Sequence, residues 1–549
     1  MQRQQILFSC FIAVLFCVPG FSLAQDNPLP TENVFDERFE IWPVDLTIRG
    51  NILLGSASDK SVQEQIAAVA EAGREILSAV DGVDDEENDL PTLVTIAFEE
   101  PGDVPELPQN VSLFVWNADI DIEELNSSIG DATQVILCHQ GEFVDENVIA
   151  ALHGLEEQFR GLIDRRGTLL ARGTLARLMG SGPDGLNLVP DSLIIPEFDA
   201  ETHTEQMLSQ LSAMPRTVGI GIPAGGMVEL SGRKFRGQAT FLLPECDHLP
   251  QRVETLVPAT RENRNPYETT VDLTAWRRDA IERSLEQYPP VEREVPYVAN
   301  GTLIIVGGGG MPSGSDELFL SLAGGDDARL VYVPCAEEES LRRPPRILRS
   351  WQAAGAASAD WIHTKDRNLA NGDEEFLEPL QNATGLFFGG GRQWNFADSY
   401  YGTEAHRLMK QVLDRGGVVC GSSAGASIQG GYLARANPVA NFDIMAPGYE
   451  RGLGFLRGVA IDQHFTQRRR QPDLESLVVR YPQLLGIGID ESTALVVQES
   501  EGRVIGAGKV WFYDQPVGQE EPCEPVALPA GSRYDLANRT VISQPDEDE

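Results

Sequence analysis

The residues with the clearest chemical potential form a short turn centred on a serine. Residues 416–426 read GGVVCGSSAGA, an apolar run that leads into Ser423 between small neighbours, and a helix-compatible segment follows. A nucleophile elbow needs such neighbours, because the strained turn leaves no room for larger side chains beside the strand and the helix. The pattern predicts Ser423 as a nucleophile. An ordinary Gly-rich loop is the alternative, so the serine needs catalytic partners.

A serine hydroxyl requires a base, and the chain has only seven histidines. In the second half these are His363, His406 and His464. His406 lies in a helix-like stretch, where a solvent-exposed or hydrogen-bonded structural histidine is expected. His464 follows a short apolar strand and precedes the arginines 468–470. Because ligands bind at strand ends in α/β sheets, His464 is the predicted base, and the arginines would suit a substrate carboxylate.

Two further strand ends supply the remaining parts of a hydrolytic site. The segment 486–493, GIGIDEST, places Asp490 and Glu491 after an apolar strand, and either carboxylate could orient the imidazole. The glycines 389–391 follow another apolar strand, and their N–H groups could stabilise an oxyanion together with that of Ala424. Four strand ends therefore offer nucleophile, base, orienting acid and oxyanion donors.

The elements that must position these groups occur twice along the chain. Short apolar runs alternate with helical patterns from Leu46 onward and again from Gly301 onward, which predicts parallel sheets covered on both faces by helices. An internal duplication is the first architectural hypothesis. The matching segments, in the same order, are 132–137 with 383–388, 166–170 with 415–419, and 219–222 with 486–489.

This overlay predicts that the first half is a catalytically dead copy. In the register that matches Arg166 with Arg415, Ser423 falls on Thr174. In the register of the GIGI segments, His464 falls on Glu197 and Glu491 on Ala224. The predicted organisation is a signal peptide (1–24), a leader (25–44), the degenerate copy (45–248), a polar linker with one helix (249–298), the catalytic domain (299–514) and an acidic, partly disordered tail (515–549).

Composition and targeting signals limit the classes of function. The net charge of −40 disfavours binding to nucleic acid or to an anionic membrane surface. Met1 to Ala24 has the features of a cleaved signal peptide without a lipid anchor, so a secreted or periplasmic location is expected. Cys10 and Cys17 lie in that segment, and the five remaining scattered cysteines do not form a disulfide framework. No zinc-binding spacing occurs, and no metal or cofactor is expected.

Four segments resemble the motif set of the cyanophycinases, which belong to the serine peptidase family that also contains dipeptidase E. They read GLFFGGGRQWNF, GGVVCGSSAGASIQGG, AIDQHFTQRRR and GIGIDESTALVV, and the resemblance covers roughly residues 299–514. It implies a class I glutamine-amidotransferase-like, flavodoxin-like α/β fold with mostly parallel sheets. It also implies a Ser-His-Glu triad of Ser423, His464 and Glu491, with oxyanion donors at Gly390 or Gly391 and at Ala424. The implied substrate contacts are Gln393, Asp462, Gln463, Arg468 and Arg470.

The resemblance implies hydrolysis of cyanophycin, a polyaspartate with arginine side groups, into β-aspartyl-arginine dipeptides. Two departures lie on the expected substrate side. Arg392 stands where an aspartate is common, and residues 471–473 are Gln-Pro-Asp where another basic residue is expected. An aspartyl dipeptidase or amidohydrolase and a secreted non-catalytic binding protein are therefore alternatives. Members of the family form dimers, which suggests that the first half replaces the second subunit in an intrachain pseudo-dimer.

Overall fold

The computed structural model describes residues 41–57, 60–80, 91–140, 143–341, 343–519 and 521–545. They belong to one compact unit, Phe35–Glu549. The predicted signal peptide and most of the leader lie outside the described residues. The helices are α1 Val62–Val80, α2 Ile122–Asp131, α3 Glu146–Gly154, α4 Glu156–Asp164, α5 Gly173–Leu178, α6 Ala200–Ser212, α7 Pro266–Thr269, α8 Leu273–Glu282, α9 Ser315–Leu322, α10 Ile347–Ala353, α11 Arg367–Gly372, α12 Glu374–Gln381, α13 Trp394–Tyr400, α14 Glu404–Asp414, α15 Ala424–Ser427 and α16 Gln471–Arg480.

The strands fall into a set before residue 273 and a set after residue 297. The first set is β1 Asn51–Gly55, β2 Leu93–Ala97, β3 Val111–Val115, β4 Gln134–Cys138, β5 Thr168–Arg172, β6 Ser192–Pro196, β7 Val218–Ile222, β8 Met227–Ser231, β9 Lys234–Gly237, β10 Ala239–Leu243, β11 Arg252–Leu256 and β12 Val271–Asp272. The second set is β13 Val298–Val306, β14 Arg329–Val333, β15 Ser358–Trp361, β16 Gly385–Phe388, β17 Val418–Ser422, β18 Gly430–Tyr432, β19 Leu456–Gln463, β20 Leu485–Ile489, β21 Thr493–Glu499, β22 Glu501–Gly506, β23 Lys509–Asp514, β24 Val526–Pro529, β25 Arg533–Asp535 and β26 Thr540–Ser543.

Each half contains one large sheet with a parallel core. The first large sheet has the order β3-β2-β4-β5-β1-β8-β9-β12, and the second has the order β15-β14-β16-β17-β13-β21-β22-β25-β26. In both, the first five strands are parallel and the strands beyond them are antiparallel. The parallel strands are mostly apolar and buried, as expected for a sheet with helices on both faces.

Each half also contains a smaller sheet, and that of the second half carries predicted site residues. Its order is β6-β7-β10-β11 in the first half and β18-β19-β20-β23-β24 in the second. The strands β19 and β20 are parallel, so His464 and Glu491, which follow them, reach the same edge. The site thus lies where the ends of the large and the small sheet meet.

The segment 249–298 differs from the predicted polar linker. Strand β11 pairs with β10 in the first half, beyond the predicted boundary at residue 248. Every residue of α8 except Ala275 is buried, and Leu273, Trp276 and Ala280 pack into the hydrophobic core of the first half. The helix looks polar in sequence because its buried arginines and acids form ion pairs with distant residues.

The acidic tail is also more ordered than predicted. Strand β24 pairs with β23, and β25 pairs with β22, so the tail extends both sheets of the second half. Leu528, Tyr534 and Leu536 are buried in the core of that half. These apolar residues supply the burial that stabilises the segment despite its charge. In the described part of the chain, no helix combines the length and apolar character needed to cross a bilayer.

Candidate active site

Ser423 occupies a strained turn between β17 and α15. Its backbone angles are φ 58° and ψ −114°, a conformation that a residue with a side chain adopts only when its surroundings enforce it. The small neighbours are required by close packing: a Cβ added to Gly421 would lie 2.1 Å from the Gly425 oxygen, and one added to Gly425 would lie 2.1 Å from the Phe388 oxygen. The Ser423 N–H donates to the Val306 oxygen at 3.1 Å. The turn therefore has the geometry expected of a nucleophile elbow.

The structure brings Ser423, His464 and Glu491 together in one hydrogen-bonded chain. Ser423 Oγ lies 2.9 Å from His464 Nε2, and His464 Nδ1 lies 2.5 Å from Glu491 Oε1. The imidazole protonated on Nδ1 donates to the carboxylate and accepts the serine proton at Nε2. Backbone contacts fix both partners: the His464 N–H donates to the Gly307 oxygen at 2.7 Å, and the Glu491 N–H donates to Gln467 Oε1 at 3.0 Å.

The surroundings of His464 favour the neutral imidazole. Burial lowers the pKa of His464 below 6.5, and the hydrogen bond to Glu491 opposes this effect. The positive charge of Arg468 lowers the pKa of His464 further. A neutral imidazole at neutral pH can accept a proton from Ser423, which is the state that a general base requires.

The glycine run 307–310, which was not among the predicted site residues, packs against His464 and Glu491. Gly308 (φ 96°) and Gly309 (φ 70°) follow β13 in a conformation that favours glycine. A Cβ on Gly308 would lie 2.3 Å from His464 Cε1, and one on Gly309 would lie 2.6 Å from Glu491 Cβ. The signal was available in the four consecutive glycines 307–310 at a strand end.

The predicted oxyanion residues lie beside the serine. A Cβ built on Gly390 would lie 3.5 Å from Ser423 Cβ and 4.0 Å from Ser423 Oγ. Gly391 packs on the other side against Cys335, whose oxygen would lie 2.6 Å from an added Cβ. Ala424 is the first residue of α15, and the first N–H groups of a helix have no acceptor within the helix. Backbone from two segments thus converges on Ser423.

Two of the predicted substrate contacts are instead engaged with each other. Asp462 is fully buried, and its carboxylate accepts hydrogen bonds from Arg470 Nη1 at 2.9 Å and from Arg435 Nε at 2.9 and 3.0 Å. Arg435 also donates to Asp473 at 2.5 Å, so the departure at residue 473 supplies an ion-pair partner. A buried carboxylate between two guanidiniums is electrostatically satisfied. This geometry favours a supporting role for Asp462 and Arg470 beneath the site.

The other predicted contacts lie closer to the serine or to solvent. Gln463 is buried, and its Oε1 lies 3.4 Å from Ser423 Oγ. Gln393 is buried and donates to the Ala434 oxygen at 2.5 Å, which attaches the glycine loop to the segment after β18. Arg468 is exposed and remains free to face a ligand. Among these three, Gln463 has the most direct access to the reacting hydroxyl.

Two residues that the sequence left open have structural roles. Asp490, the alternative orienting acid, accepts hydrogen bonds from Thr466 Oγ1 at 2.7 Å and from the Lys509 N–H at 3.1 Å. Its carboxylate therefore ties three segments together, while Glu491 holds the imidazole. His406 is buried, and its Nε2 lies 2.8 Å from the Leu453 oxygen, in agreement with a hydrogen-bonded structural histidine.

The position that corresponds to Ser423 in the first half is Gly173, and the predicted match to Thr174 is wrong. Gly55 pairs with Arg172 at the ends of β1 and β5, as Val306 pairs with Ser422 at the ends of β13 and β17. The next residue has a positive φ in both halves, 53° at Gly173 and 58° at Ser423.

The arginine match caused the error. Arg166 (φ 68°) precedes Gly167 as Gly416 (φ 85°) precedes Gly417, so Arg166 stands at the place of Gly416 and one residue away from that of Arg415. The turn before β5 or β17 requires a residue with a positive φ. Arg166 adopts this conformation in the first half and Gly416 adopts it in the second, so these two residues correspond. The residue that stands at the place of Ser423 in the first half therefore carries no hydroxyl.

The other two matched positions agree with the strand pairing. Glu197 (φ 55°) follows β6 as His464 (φ 50°) follows β19. In the paired strand, β7 ends opposite Pro196 as β20 ends opposite Gln463, so Ala224 lies at the place of Glu491. The first half therefore has a glutamate in place of the histidine and an alanine in place of the orienting acid.

Comparison with known proteins assigns the second half to a family. Residues 303–505 match the model of peptidase family S51. Over 223 residues the chain is 30% identical to a cyanophycinase of Geminocystis herdmanii, which covers 82% of that relative and 40% of this chain. A cyanophycinase of Trichormus variabilis is 28% identical over 282 residues, or 92% of its own length and 47% of this chain.

A crystal structure of a peptidase from an acI-B1 Actinobacterium is also similar, with 21% identity and a TM-score of 0.31, over 43% of this chain and 99% of that one. The chain belongs to peptidase family S51 and is a serine-type peptidase. The resemblance to the cyanophycinases inferred from the four motifs is confirmed.

Proposed function

We propose that this protein hydrolyses a peptide or isopeptide bond through a Ser423-His464-Glu491 triad. The observation that carries the proposal is the unbroken hydrogen-bonded chain, 2.9 Å from Ser423 Oγ to His464 Nε2 and 2.5 Å from His464 Nδ1 to Glu491 Oε1. A serine, a base and an orienting acid in this arrangement are the elements of acyl transfer. The non-catalytic alternative gains no support from so complete a site.

Each step of the proposed reaction uses a group in place. His464 Nε2 takes the proton of Ser423 as Oγ bonds to the substrate carbonyl, and Glu491 stabilises the imidazolium. The N–H groups of Gly390 or Gly391 and of Ala424 stabilise the oxyanion. The imidazolium then protonates the leaving nitrogen as the C–N bond breaks, which leaves an ester on Ser423. Water, deprotonated by His464, hydrolyses this ester and releases the acid product.

The pKa of His464 predicts the acid limb of the pH profile. Activity requires the neutral imidazole, so kcat/KM should fall as the pH drops through this pKa, with a midpoint below pH 6.5. Because Arg468 lowers the pKa of His464, Arg468→Gln should move the midpoint upward by about a few tenths of a pH unit at low salt. The measurement is kcat/KM against pH for both proteins.

Arg468→Lys is the matched control, since it keeps the positive charge and should leave the midpoint unchanged. No movement in Arg468→Gln would contradict the electrostatic coupling of Arg468 to His464, and a kcat/KM that does not fall on the acid side would contradict the assignment of His464 as the base.

For the substrate we propose cyanophycin or a related aspartyl/arginine peptide, cut to β-aspartyl-arginine dipeptides. The support is that the matched relatives are named cyanophycinases and that the chain covers most of their length. The exposed Arg468 also presents positive charge beside His464, which suits a substrate carboxylate and keeps an aspartyl dipeptidase as the second candidate.

Mass spectrometry of products from cyanophycin and from aspartyl dipeptides separates the two candidates. We expect β-aspartyl-arginine dipeptides from the polymer, and none from the Ser423→Ala control. Cleavage of aspartyl dipeptides alone would favour the dipeptidase, and turnover of neither would overturn both assignments.

We further propose that the two halves are copies of one class I glutamine-amidotransferase-like fold, packed as an intrachain pseudo-dimer. The same order of the five parallel strands in both large sheets supports this, as do the matching positive-φ residues at the ends of β5 and β17. Small-angle scattering should give a single compact particle, and two separated lobes would contradict the pseudo-dimer.

Export is proposed from the sequence of residues 1–24 and predicts a mature N-terminus at Gln25, which N-terminal sequencing would test.

A further inference from the structure

An arginine of the first half reaches into the second half next to the active site. Arg233 lies in the turn between β8 and β9, and its side chain is only 10% exposed. It forms a bidentate pair with Asp272 at 2.6 and 2.9 Å. Its remaining donors cross the interface, to Asp398 at 2.7 Å and to the Tyr449 hydroxyl at 2.6 Å. The guanidinium thus joins the halves through charge-assisted hydrogen bonds.

Both ends of the short helix α13 depend on this guanidinium. Asp398, near the end of α13, is completely buried, and its other carboxylate oxygen accepts from the Tyr449 hydroxyl at 2.8 Å. Trp394, the first residue of α13, stacks under the guanidinium, which lies 4.5 Å from the ring centre. Cation-π stacking and the ion pair therefore act on the same helix.

The helix α13 is the direct continuation of the glycine loop beside Ser423. Residues 389–393 run from the end of β16 into α13, and the N–H of Phe396 donates to the Gln393 oxygen. Gly390, in the middle of this loop, packs against the Ser423 side chain. A shift of α13 would therefore move the proposed oxyanion donor relative to the nucleophile.

Other cations near α13 do not replace Arg233. Arg278 approaches Asp398 at 3.9 Å and donates to the Gly448 oxygen, while Arg367 donates to the backbone oxygen of Asp398. Lys365 donates to Asn395 Oδ1 at 2.7 Å. Arg367 and Lys365 belong to the same half as α13, and Arg278 lies farther from the Asp398 carboxylate than Arg233 does. Arg233 alone among them combines a direct bond to the Asp398 carboxylate with the stacking on Trp394.

We propose that Arg233 is a positioning residue, through which the first half holds α13 and so the oxyanion loop of the second half in its working geometry. The inference rests on the proposed hydrolytic function. It assigns a catalytic contribution to a half without a nucleophile: the loop keeps the oxyanion N–H groups in place only while the first half supplies its arginine. A misplacement of about 1 Å at an active site can cost about 100-fold in rate.

The test compares Arg233→Met with the wild type in the full-length protein. The readouts are the second-order rate constant for labelling by a fluorophosphonate and the kcat and KM for hydrolysis, each per titrated active site. We expect labelling and kcat to fall by about 10- to 100-fold, because both need the oxyanion donors, and KM to change by less than about threefold.

Two further variants separate positioning from stability. Arg451→Met removes the interface ion pair with Glu282, formed at 2.8 and 2.9 Å and similarly buried, and the hydrogen bonds of Arg451 go to Glu282 and Glu286 rather than to α13. It should lose stability and keep the wild-type rate per active site. Arg233→Lys keeps the positive charge but loses the planar guanidinium that donates to several partners at once. Its kcat per active site should therefore lie between those of the wild type and Arg233→Met, about threefold or more below the wild type.

A wild-type rate per active site in Arg233→Met would overturn the inference, whatever the loss of stability. If Arg233→Met does not fold, Arg233→Lys decides, and a wild-type rate in that variant overturns the inference equally. Absence of labelling in the wild type would refute the proposed function instead, so the two failures are distinguishable.

Discussion

Ser423→Ala is expected to lower kcat by about 10⁴-fold or more, while the protein stays folded. The alanine removes the only atom of residue 423 that can bond to the substrate carbonyl, and its methyl group fits the same turn. The surrounding backbone contacts, such as the hydrogen bond from the residue 423 N–H to the Val306 oxygen, do not depend on the hydroxyl. Hydrolysis under saturating substrate, with circular dichroism as the check on folding, measures the effect.

The adjacent Ser422 provides a matched control. Ser422 is the last residue of β17 and has the same side chain as Ser423, but the His464 imidazole is hydrogen-bonded to Ser423. Ser422→Ala should therefore keep kcat within about threefold of the wild type. Equal losses in both variants would point to damage to the turn, and activity retained by Ser423→Ala would exclude this serine as the nucleophile.

Glu491→Gln is expected to lower kcat by about 10³- to 10⁴-fold with little change in KM. The amide has nearly the same shape as the carboxylate, but it carries no charge to stabilise the imidazolium. It can also donate to Nδ1, which would favour the tautomer that has its proton on Nε2 and cannot accept the proton of Ser423. Steady-state kinetics at neutral pH measure kcat and KM for this variant.

Asp490→Asn is the control for this prediction, because Asp490 is the neighbouring acid that the sequence could not distinguish from Glu491. Its carboxylate accepts from Thr466 and Lys509, so the variant should lose about 1–3 kcal/mol of stability and keep its rate per active site. The opposite pattern, with Asp490→Asn inactive and Glu491→Gln active, would reverse the assignment of the orienting acid.

The local parts of the site could be predicted from the sequence because they obey short-range rules. An apolar strand, small residues around Ser423 and a following helix define the elbow, and strand ends that carry His464 and Glu491 must meet at one sheet edge. The parallel core followed from the alternation of apolar runs and helical patterns. The family followed from the resemblance of four segments, in their order along the chain, to the motif set of the cyanophycinases.

The parts that could not be predicted depend on contacts between distant residues. Asp462 and Arg470 were expected to face the substrate, but Arg435, from the segment after β18, neutralises Asp462 from the other side. The helix α8 was predicted as part of a polar linker, but it is buried, and its Arg277 pairs with Asp191, 86 residues away. Charged residues reveal their burial only through such partners, which no local pattern specifies.

The register error in the first half has a similar origin. An identical arginine is a plausible anchor for an overlay, yet the structure aligns backbone conformations, and Arg166 adopts the left-handed angle that a glycine supplies in the second half. The consequence is functional, because it replaces a threonine hydroxyl by Gly173 at the elbow of the first half.

Peptide mapping after reaction with a fluorophosphonate tests the central claim most directly. We expect one added phosphonyl group per chain, located by tandem mass spectrometry on Ser423, and no label in Ser423→Ala or in protein whose His464 is protonated at low pH. A label on another residue of an active enzyme, or full activity in a protein without label at Ser423 after exhaustive treatment, would contradict it.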